Sequence, residues 1–183
     1  NRDDLLKPLQ QVVGVVERRQ TLPILANVLI NVQADRLDLT ATDLEVELRT
    51  QASVAAEGEA AITLPARKLL DICKALPAGA AIEFDLQGER AVLKSGRGRY
   101  TLGMLPAQDY PGIEPSPASE SLTLPVEVMK RLIEKTQFAM AQQDVRYYLN
   151  GLLLEVKDAH IRTVATDGHR LALSDAEIET GIA

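Results

Sequence analysis

The sequence predicts an α+β fold built from repeated units, in each of which one amphipathic helix is followed by antiparallel strands. Three observations lead to this prediction. Three segments carry apolar residues at helical spacing, the segments after them alternate apolar and polar residues, and part of the chain repeats itself 124 residues later. The 183 residues suffice for one large domain or for one and a half smaller ones, and with only 3% aromatic residues the core must be aliphatic.

Three helices are predicted, at residues 5–16, 66–76 and 126–140. In each of them the apolar residues follow the i, i+3, i+4, i+7 spacing that places them on one face of a helix. The second and third helices follow a Thr-Leu-Pro tripeptide, at residues 63–65 and 123–125.

An alternating pattern of apolar and polar residues follows each predicted helix, which is typical of half-buried strands. Gly88 and Gly96 mark turns between the strands of the middle set. The predicted strands are residues 28–32, 36–40, 81–86, 90–94, 99–102, 152–156 and 161–164.

The internal repeat is an ungapped match at a shift of 124 residues. Leu25 then meets Leu149, and the Ala-Thr-Asp sequence at 41–43 meets the same sequence at 165–167. The repeated unit is therefore a helix, two strands, an Ala-Thr-Asp turn and a third strand, and such self-similarity indicates duplication. We interpret Asp43 and Asp167 as carboxylates that form this turn, because Asp side chains bond readily to nearby backbone.

Composition excludes several classes of protein. No stretch approaches 18 uninterrupted apolar residues, so no transmembrane helix is predicted. The single cysteine, Cys73, cannot form an internal disulfide and fits a cytoplasmic location. One cysteine and two histidines are too few for a metal site, so neither a metal nor another cofactor is expected.

Charge is distributed unevenly along the chain. Its formal value is −6, yet the three predicted helices carry seven Lys and Arg against three Asp and Glu. Helices lining a hole would make that hole positive, which suits loose, sequence-independent contact with DNA. The alternative is that these lysines and arginines form an ordinary solvated helix face.

Five segments resemble the bacterial DNA polymerase III beta subunits, the sliding clamps. They are LKPLQQV (6–12), TLPIL (21–25), PARK (65–68), QDVRYYLNG (143–151) and RTVATDGHRL (162–171). The resemblance extends over essentially the whole chain. It implies the DNA clamp fold, with helices on the inner face of a ring and sheets on the outer face.

Members of that family have three such domains per subunit, and two subunits close head to tail around duplex DNA. Residues 1–114 then form the first clamp domain without its first strand, residues 115–183 form part of the second, and the third domain is absent. A Pro- and Ser-rich stretch at 111–119 marks the boundary. The resemblance implies a processivity factor without enzymatic activity that tethers polymerases, repair proteins and the clamp loader through a peptide-binding cleft.

Three groups of site residues follow from the resemblance. The DNA-binding group is Arg19, Arg67, Gln143, Tyr147 and Tyr148. The cleft group is Leu149, Thr166, Gly168, His169, Arg170 and Leu171. The dimer-interface group is Lys68, Ile72, Arg97, Arg99, Tyr100 and Leu102, with Tyr100 and Leu102 at its apolar centre.

Each group has a plainer alternative. Adjacent tyrosines can pack as the start of a strand, so one of Tyr147 and Tyr148 is expected to be structural. Arg97 and Arg99 fit an edge strand protected by charge. The segment around His169 fits a hydrolase, although a lone histidine without a Ser or Cys partner is a poor basis for catalysis. A plain α+β interaction domain without a DNA role is the remaining alternative.

Overall fold

A computed structural model describes residues 1–16, 22–56, 58–112, 122–157 and 159–177. The chain divides into two compact units, Asn1–Pro115 and Ser116–Ala183. This division falls one residue from the boundary expected after residue 114. Across the described ranges, no helix is long and apolar enough to cross a membrane.

The described residues of the first unit form two α-helices and seven strands, all strand pairs being antiparallel. The strands form a four-stranded sheet in the order β3-β2-β1-β4 and a three-stranded sheet in the order β5-β6-β7. The elements are α1 (Arg2–Val12), β1 (Asn27–Gln33), β2 (Arg36–Thr42), β3 (Glu47–Ser53), β4 (Ala60–Pro65), α2 (Ala66–Ala75), β5 (Glu83–Gln87), β6 (Arg90–Ser95) and β7 (Gly98–Gly103).

One aliphatic core joins both helices and both sheets of the first unit. Leu9 of α1, Leu69 of α2, Leu39 and Leu64 of the larger sheet and Leu93 of the smaller sheet are all fully buried within it. Burial of a leucine contributes about 1.5–3 kcal/mol, so this shared core holds the elements in fixed relative positions.

The boundaries of the helices differ from prediction at both ends. Helix α1 begins at Arg2, three residues before the predicted start, and α2 ends at Ala75, one residue before the predicted end. The predicted helices 5–16 and 126–140 end in short 3-10 turns, Val13–Val15 and Gln137–Ala139, and the α-helical parts stop at Val12 and Thr136. Strand β4 was not predicted, because its Thr-Leu-Pro end was interpreted only as the start of a helix.

The second unit contains α3 (Val126–Thr136) and a three-stranded antiparallel sheet in the order β10-β9-β8. Its strands are β8 (Leu153–Lys157), β9 (His160–Thr166) and β10 (Leu171–Glu177). Helix α3 packs on β9 and β10, with Leu132 buried against Ile161 and Ala176. Here the core also contains polar atoms, since the Thr163 hydroxyl donates a hydrogen bond to the Leu132 carbonyl at 3.0 Å.

The duplication expected from the sequence is confirmed by the strands. Both bounds of β9 lie 124 residues after those of β2, and both bounds of β10 lie 124 residues after those of β3. Structure therefore repeats with the same period as sequence.

Candidate functional site

The turn between β9 and β10 is held by its own side chains. The Asp167 Oδ1 accepts hydrogen bonds from the backbone N–H groups of His169 and Arg170, both at 2.9 Å. The Thr166 hydroxyl donates to the Arg170 carbonyl at 2.7 Å and accepts from the Gly168 N–H at 3.1 Å. These bonds, mainly the two backbone donors, lower the pKa of Asp167. The turn-forming role predicted for this aspartate is thus confirmed.

Gly168 occupies the position in this turn that favours a glycine. Its φ is +89°, a conformation that residues with a side chain rarely adopt. We call residues 166–171 the Gly168 turn. Five of the six predicted cleft residues belong to it.

Arg170 is oriented by two neighbours. Its Nε lies 3.0 Å from the Asp167 Oδ2, and its Cζ lies 5.9 Å from the centre of the Phe138 ring, within the range of a cation–π contact. Phe138 is not among the residues predicted from the sequence. It lies in the 3-10 turn Gln137–Ala139, which the buried Ala139 anchors.

The loop that precedes β8 is fixed by a second Asp–Arg pair. The Arg146 guanidinium donates to both carboxylate oxygens of Asp144, at 3.0 and 2.9 Å, and its backbone N–H donates to Oδ1 at 2.8 Å. The Arg146 side chain, followed by its backbone N–H, lowers the pKa of Asp144 to about 2. Asn150 closes the loop by bonding to the backbone of Asp144 at both its N–H and its carbonyl.

This loop meets the Gly168 turn through Arg146. Both terminal nitrogens of Arg146 lie 3.6 Å from the point where a Cβ at Gly168 would stand. The guanidinium groups of Arg146 and Arg170 therefore belong to one surface. The sequence prediction missed Arg146, although an Asp two residues before it, inside a recognised segment, was a usable signal.

Apolar side chains complete this surface. Leu171 is 65% exposed, Leu149 is half-buried, and His169 is exposed. An exposed leucine and a half-buried one, together with guanidinium groups, can bind an extended peptide by apolar contact and hydrogen bonds. Within the described residues, no group of three His, Cys, Asp or Glu could hold a metal ion.

The residues predicted to contact DNA have varied surroundings. Tyr147 and Tyr148 are 82% and 68% exposed, with their rings edge to face at 5.9 Å. The expectation that one of them is structural is wrong, because the 3-10 turn Tyr147–Asn150 leaves both rings outside. Gln143 is exposed and has a positive φ of +58°. Arg19 lies outside the described residues.

The cations of the three helices are exposed except for Arg2 of α1, whose Nε donates to the Cys73 carbonyl at 2.7 Å. Arg67 is partly engaged, because its guanidinium donates to the Val16 carbonyl just beyond α1. The prediction that Arg67, Lys130 and Arg131 lie on the helices of their own units is confirmed. The exposed helix cations are Lys7, Arg67, Lys68, Lys74, Lys130, Arg131 and Lys135.

The predicted dimer-interface residues divide between surface and core. Strand β7 is an edge strand of its sheet, and Lys68, Arg97 and Arg99 are exposed. Ile72 and Tyr100 are partly buried against the core. Leu102, however, is only 5% exposed.

The placement of Leu102 at the apolar centre of an interface is therefore wrong. Leu102 lies opposite Ala91 of β6, and both side chains point into the core of the first unit. An aspartate at this position would disrupt that core, so the effect of such a substitution on assembly could not be interpreted.

Comparison with known proteins connects these features to one family. The family model for the DNA polymerase III beta subunit, N-terminal domain, matches residues 1–114. The model for the central domain of the same subunit matches residues 123–182.

Individual relatives agree over nearly the whole chain. A beta sliding clamp of Pseudomonas putida is 59% identical over 175 residues, which are 94% of this chain and 47% of that protein. A beta sliding clamp of Escherichia coli K12 is 52% identical over 178 residues, which are 97% of this chain and 49% of that protein. The chain thus spans about half the length of the curated relatives it matches.

Solved structures give the same correspondence. The sliding clamp (DNA polymerase III subunit beta) of Pseudomonas aeruginosa bound to griselimycin superposes with a TM-score of 0.92 at 52% identity, over 98% of this chain and 49% of that one. The Caulobacter crescentus pol III beta superposes with a TM-score of 0.91 at 40% identity, over 96% of this chain and 49% of that one.

Proposed function

This chain belongs to the DNA polymerase III beta subunit family, and from that premise we propose that it forms part of a sliding clamp. In this proposal the complete subunit encircles duplex DNA as a head-to-tail homodimer and catalyses nothing. It keeps the replicative polymerase on its template, and it works in the cytoplasm, where chromosomal DNA lies.

The observation that carries the proposal is that the helices of each unit carry exposed cations although the chain is acidic. Seven exposed Lys and Arg side chains lie on these helices against five Asp and Glu, while the formal charge of the whole chain is −6. A surface of this kind attracts the phosphate backbone without reading bases, and salt weakens the attraction. A protein that must slide requires contacts of this loose, non-specific kind.

The exposed loop before β8 supplies a further DNA contact in this proposal. Tyr147 and Tyr148 offer two accessible rings on which bases can stack, and Gln143 lies a few residues earlier in the same loop. Arg67 and Arg19 are proposed phosphate contacts.

The Gly168 turn, with Leu149, is the proposed peptide-binding surface. Leu149 and Leu171 would bury the apolar side chains of partner peptides, while Arg170 and the backbone of the turn supply polar contacts. Polymerases, repair proteins and the clamp loader are the proposed partners.

Strand β7 is the proposed dimer contact. Arg99 projects from this edge strand, Arg97 lies in the turn just before it, and Lys68 is exposed on α2. Acidic side chains of a second subunit would complement them, with Ile72 and Tyr100 contributing the apolar part of the contact.

Retention on DNA circles tests the clamp function. The complete subunit that contains this chain is loaded on a primed circular DNA, separated from free protein by gel filtration, and the circle is then linearised. A clamp remains with the circle and leaves the linear product from its ends. Equal retention on both forms, or turnover of hydrolase substrates that survives purification, would contradict the proposal.

A further inference from the structure

We infer that Phe138 positions the guanidinium of Arg170 in the proposed peptide-binding surface, and that the bound peptide presents a carboxylate to this guanidinium. The inference rests on the proposed function, because it assigns a residue and a ligand chemistry to the same surface.

The first step concerns which donors of Arg170 are free. Asp167 occupies Nε, and no described residue accepts a hydrogen bond from the two terminal nitrogens. The Arg170 side chain is 57% exposed, so these nitrogens face solvent. Two adjacent N–H groups in one plane match the two oxygens of a carboxylate, which makes a carboxylate the favoured acceptor.

The second step concerns net charge. Arg170 is paired with Asp167, and Arg146, the other guanidinium of this surface, is paired with Asp144. Each cation is thus largely balanced by its own aspartate. The affinity for a peptide carboxylate therefore depends more on well-directed hydrogen bonds than on a positive electrostatic field. For this reason the orientation of Arg170 should determine how tightly the carboxylate binds.

The third step concerns what fixes that orientation. Asp167 holds the guanidinium at one atom, which still allows it to tilt, whereas the Phe138 ring at 5.9 Å limits the tilt from a second direction. The ring itself comes from a fixed backbone, because its neighbour Ala139 is fully buried against Ala165 and Ala172. Phe138 is nevertheless 60% exposed, so packing in the core does not explain why an aromatic residue stands at this position. The contact with Arg170 gives it a role at the surface.

Nuclear magnetic resonance titration of the isotopically labelled chain tests the inference, since this method detects weak binding. The probes are two synthetic peptides with the same pair of leucine anchors, one containing a single aspartate and the other an asparagine in its place. Phe138→Leu removes the ring, Phe138→Tyr retains it, and Phe138→Met is a second ring-free variant in case the leucine variant fails to fold.

Phe138→Leu should weaken binding of the aspartate peptide by about threefold and change binding of the asparagine peptide much less. Phe138→Tyr should restore wild-type affinity. In an Arg170→Gln background, Phe138→Leu should have no further effect, because the residue acts through the arginine.

Three results would overturn the inference. Unchanged affinity in Phe138→Leu would show that the ring does not position Arg170. Equal weakening for both peptides would show that the ring contacts the peptide directly. If neither the wild-type chain nor the complete subunit bound either peptide while the complete subunit stayed on DNA circles, the peptide surface would be misassigned and the clamp function would stand.

Discussion

Asp43 and Asp167 form the same turn at two places that lie 124 residues apart in the chain. The Asp43 Oδ1 accepts the backbone N–H groups two and three residues later, at 2.9 and 2.7 Å, and the Asp167 Oδ1 accepts the corresponding pair, both at 2.9 Å. The preceding threonines, Thr42 and Thr166, each donate to the carbonyl four residues later. The two units therefore inherited one turn, including the side chains that close it.

The duplicated turns differ at the residue after the aspartate, where the backbone is left-handed in both copies. Leu44 has a φ of +80° and Gly168 a φ of +89°. A leucine in this conformation is strained, and its side chain is half-exposed, so it recovers little by burial. Leu44→Gly should therefore raise the free energy of unfolding of the first unit by about 1 kcal/mol. This free energy is measured by urea unfolding, which is monitored through nuclear magnetic resonance signals assigned to each unit.

Gly168→Ala is the matched control for this substitution. There is room for the methyl group, since the nearest atoms would be 3.6 Å away, but the positive φ makes alanine unfavourable. It should lower the stability of the second unit by about 1 kcal/mol. A destabilising effect of Leu44→Gly would show that the leucine side chain contributes more than the strain costs.

Thr63 connects three parts of the first unit through one buried hydroxyl. The hydroxyl accepts hydrogen bonds from the Asn27 Nδ2 and the Leu105 N–H, both at 3.0 Å, and donates to the Leu105 carbonyl at 2.8 Å. Thr63→Val should lower the free energy of unfolding by about 2 kcal/mol, because it leaves these groups unpaired. Thr63→Ser keeps the hydroxyl and should cost clearly less. A larger loss in Thr63→Ser than in Thr63→Val would show that packing of the methyl group, which valine retains, matters more than the hydroxyl.

The sequence predicted those parts of the fold that depend on local pattern. The spacing that defines α2 and the alternation that defines β6 are contained in short stretches, and the repeat doubled the evidence for β2 and β9. Strand β4 was missed because its last residues, 63–65, also signal the start of a helix, and a strand and a helix can share such a junction.

Features that depend on tertiary contacts were harder to predict. An alternating strand such as β7 shows which residues share a face, but not which face meets the core, and Leu102 was therefore assigned to the surface. Phe138 meets Arg170 only because the chain between them folds back as a sheet, and no spacing rule links them.

Asp144 gives a pH-dependent prediction for the proposed peptide surface. Arg146 lowers the pKa of Asp144 to about 2, so the pair stabilises the loop above the ordinary carboxylate range and is lost as the pH falls through about 2. The carbon-13 titration of the Asp144 carboxyl group should therefore have its midpoint near 2. In Arg146→Met the midpoint should move up towards 3.8, the ordinary pKa of an aspartate side chain. A midpoint that is the same in both proteins would show that Arg146 does not hold the carboxylate in solution.

The cations of α3 give the last prediction. Lys130→Glu combined with Arg131→Glu reverses two exposed charges on α3, and Arg90→Glu combined with Lys157→Glu makes the same change in charge on exposed strand residues. If the helices face DNA, the first pair should weaken binding to a duplex by at least about tenfold at low salt, and the slope of log affinity against log salt should fall by about 2. The second pair alters only the long-range field and should have a much smaller effect on the slope. Fluorescence anisotropy of a labelled duplex over a salt series measures both quantities. Equal slopes in the two double variants would mean that DNA affinity depends only on the total charge of the protein. The proposal that the helices face DNA would then be wrong.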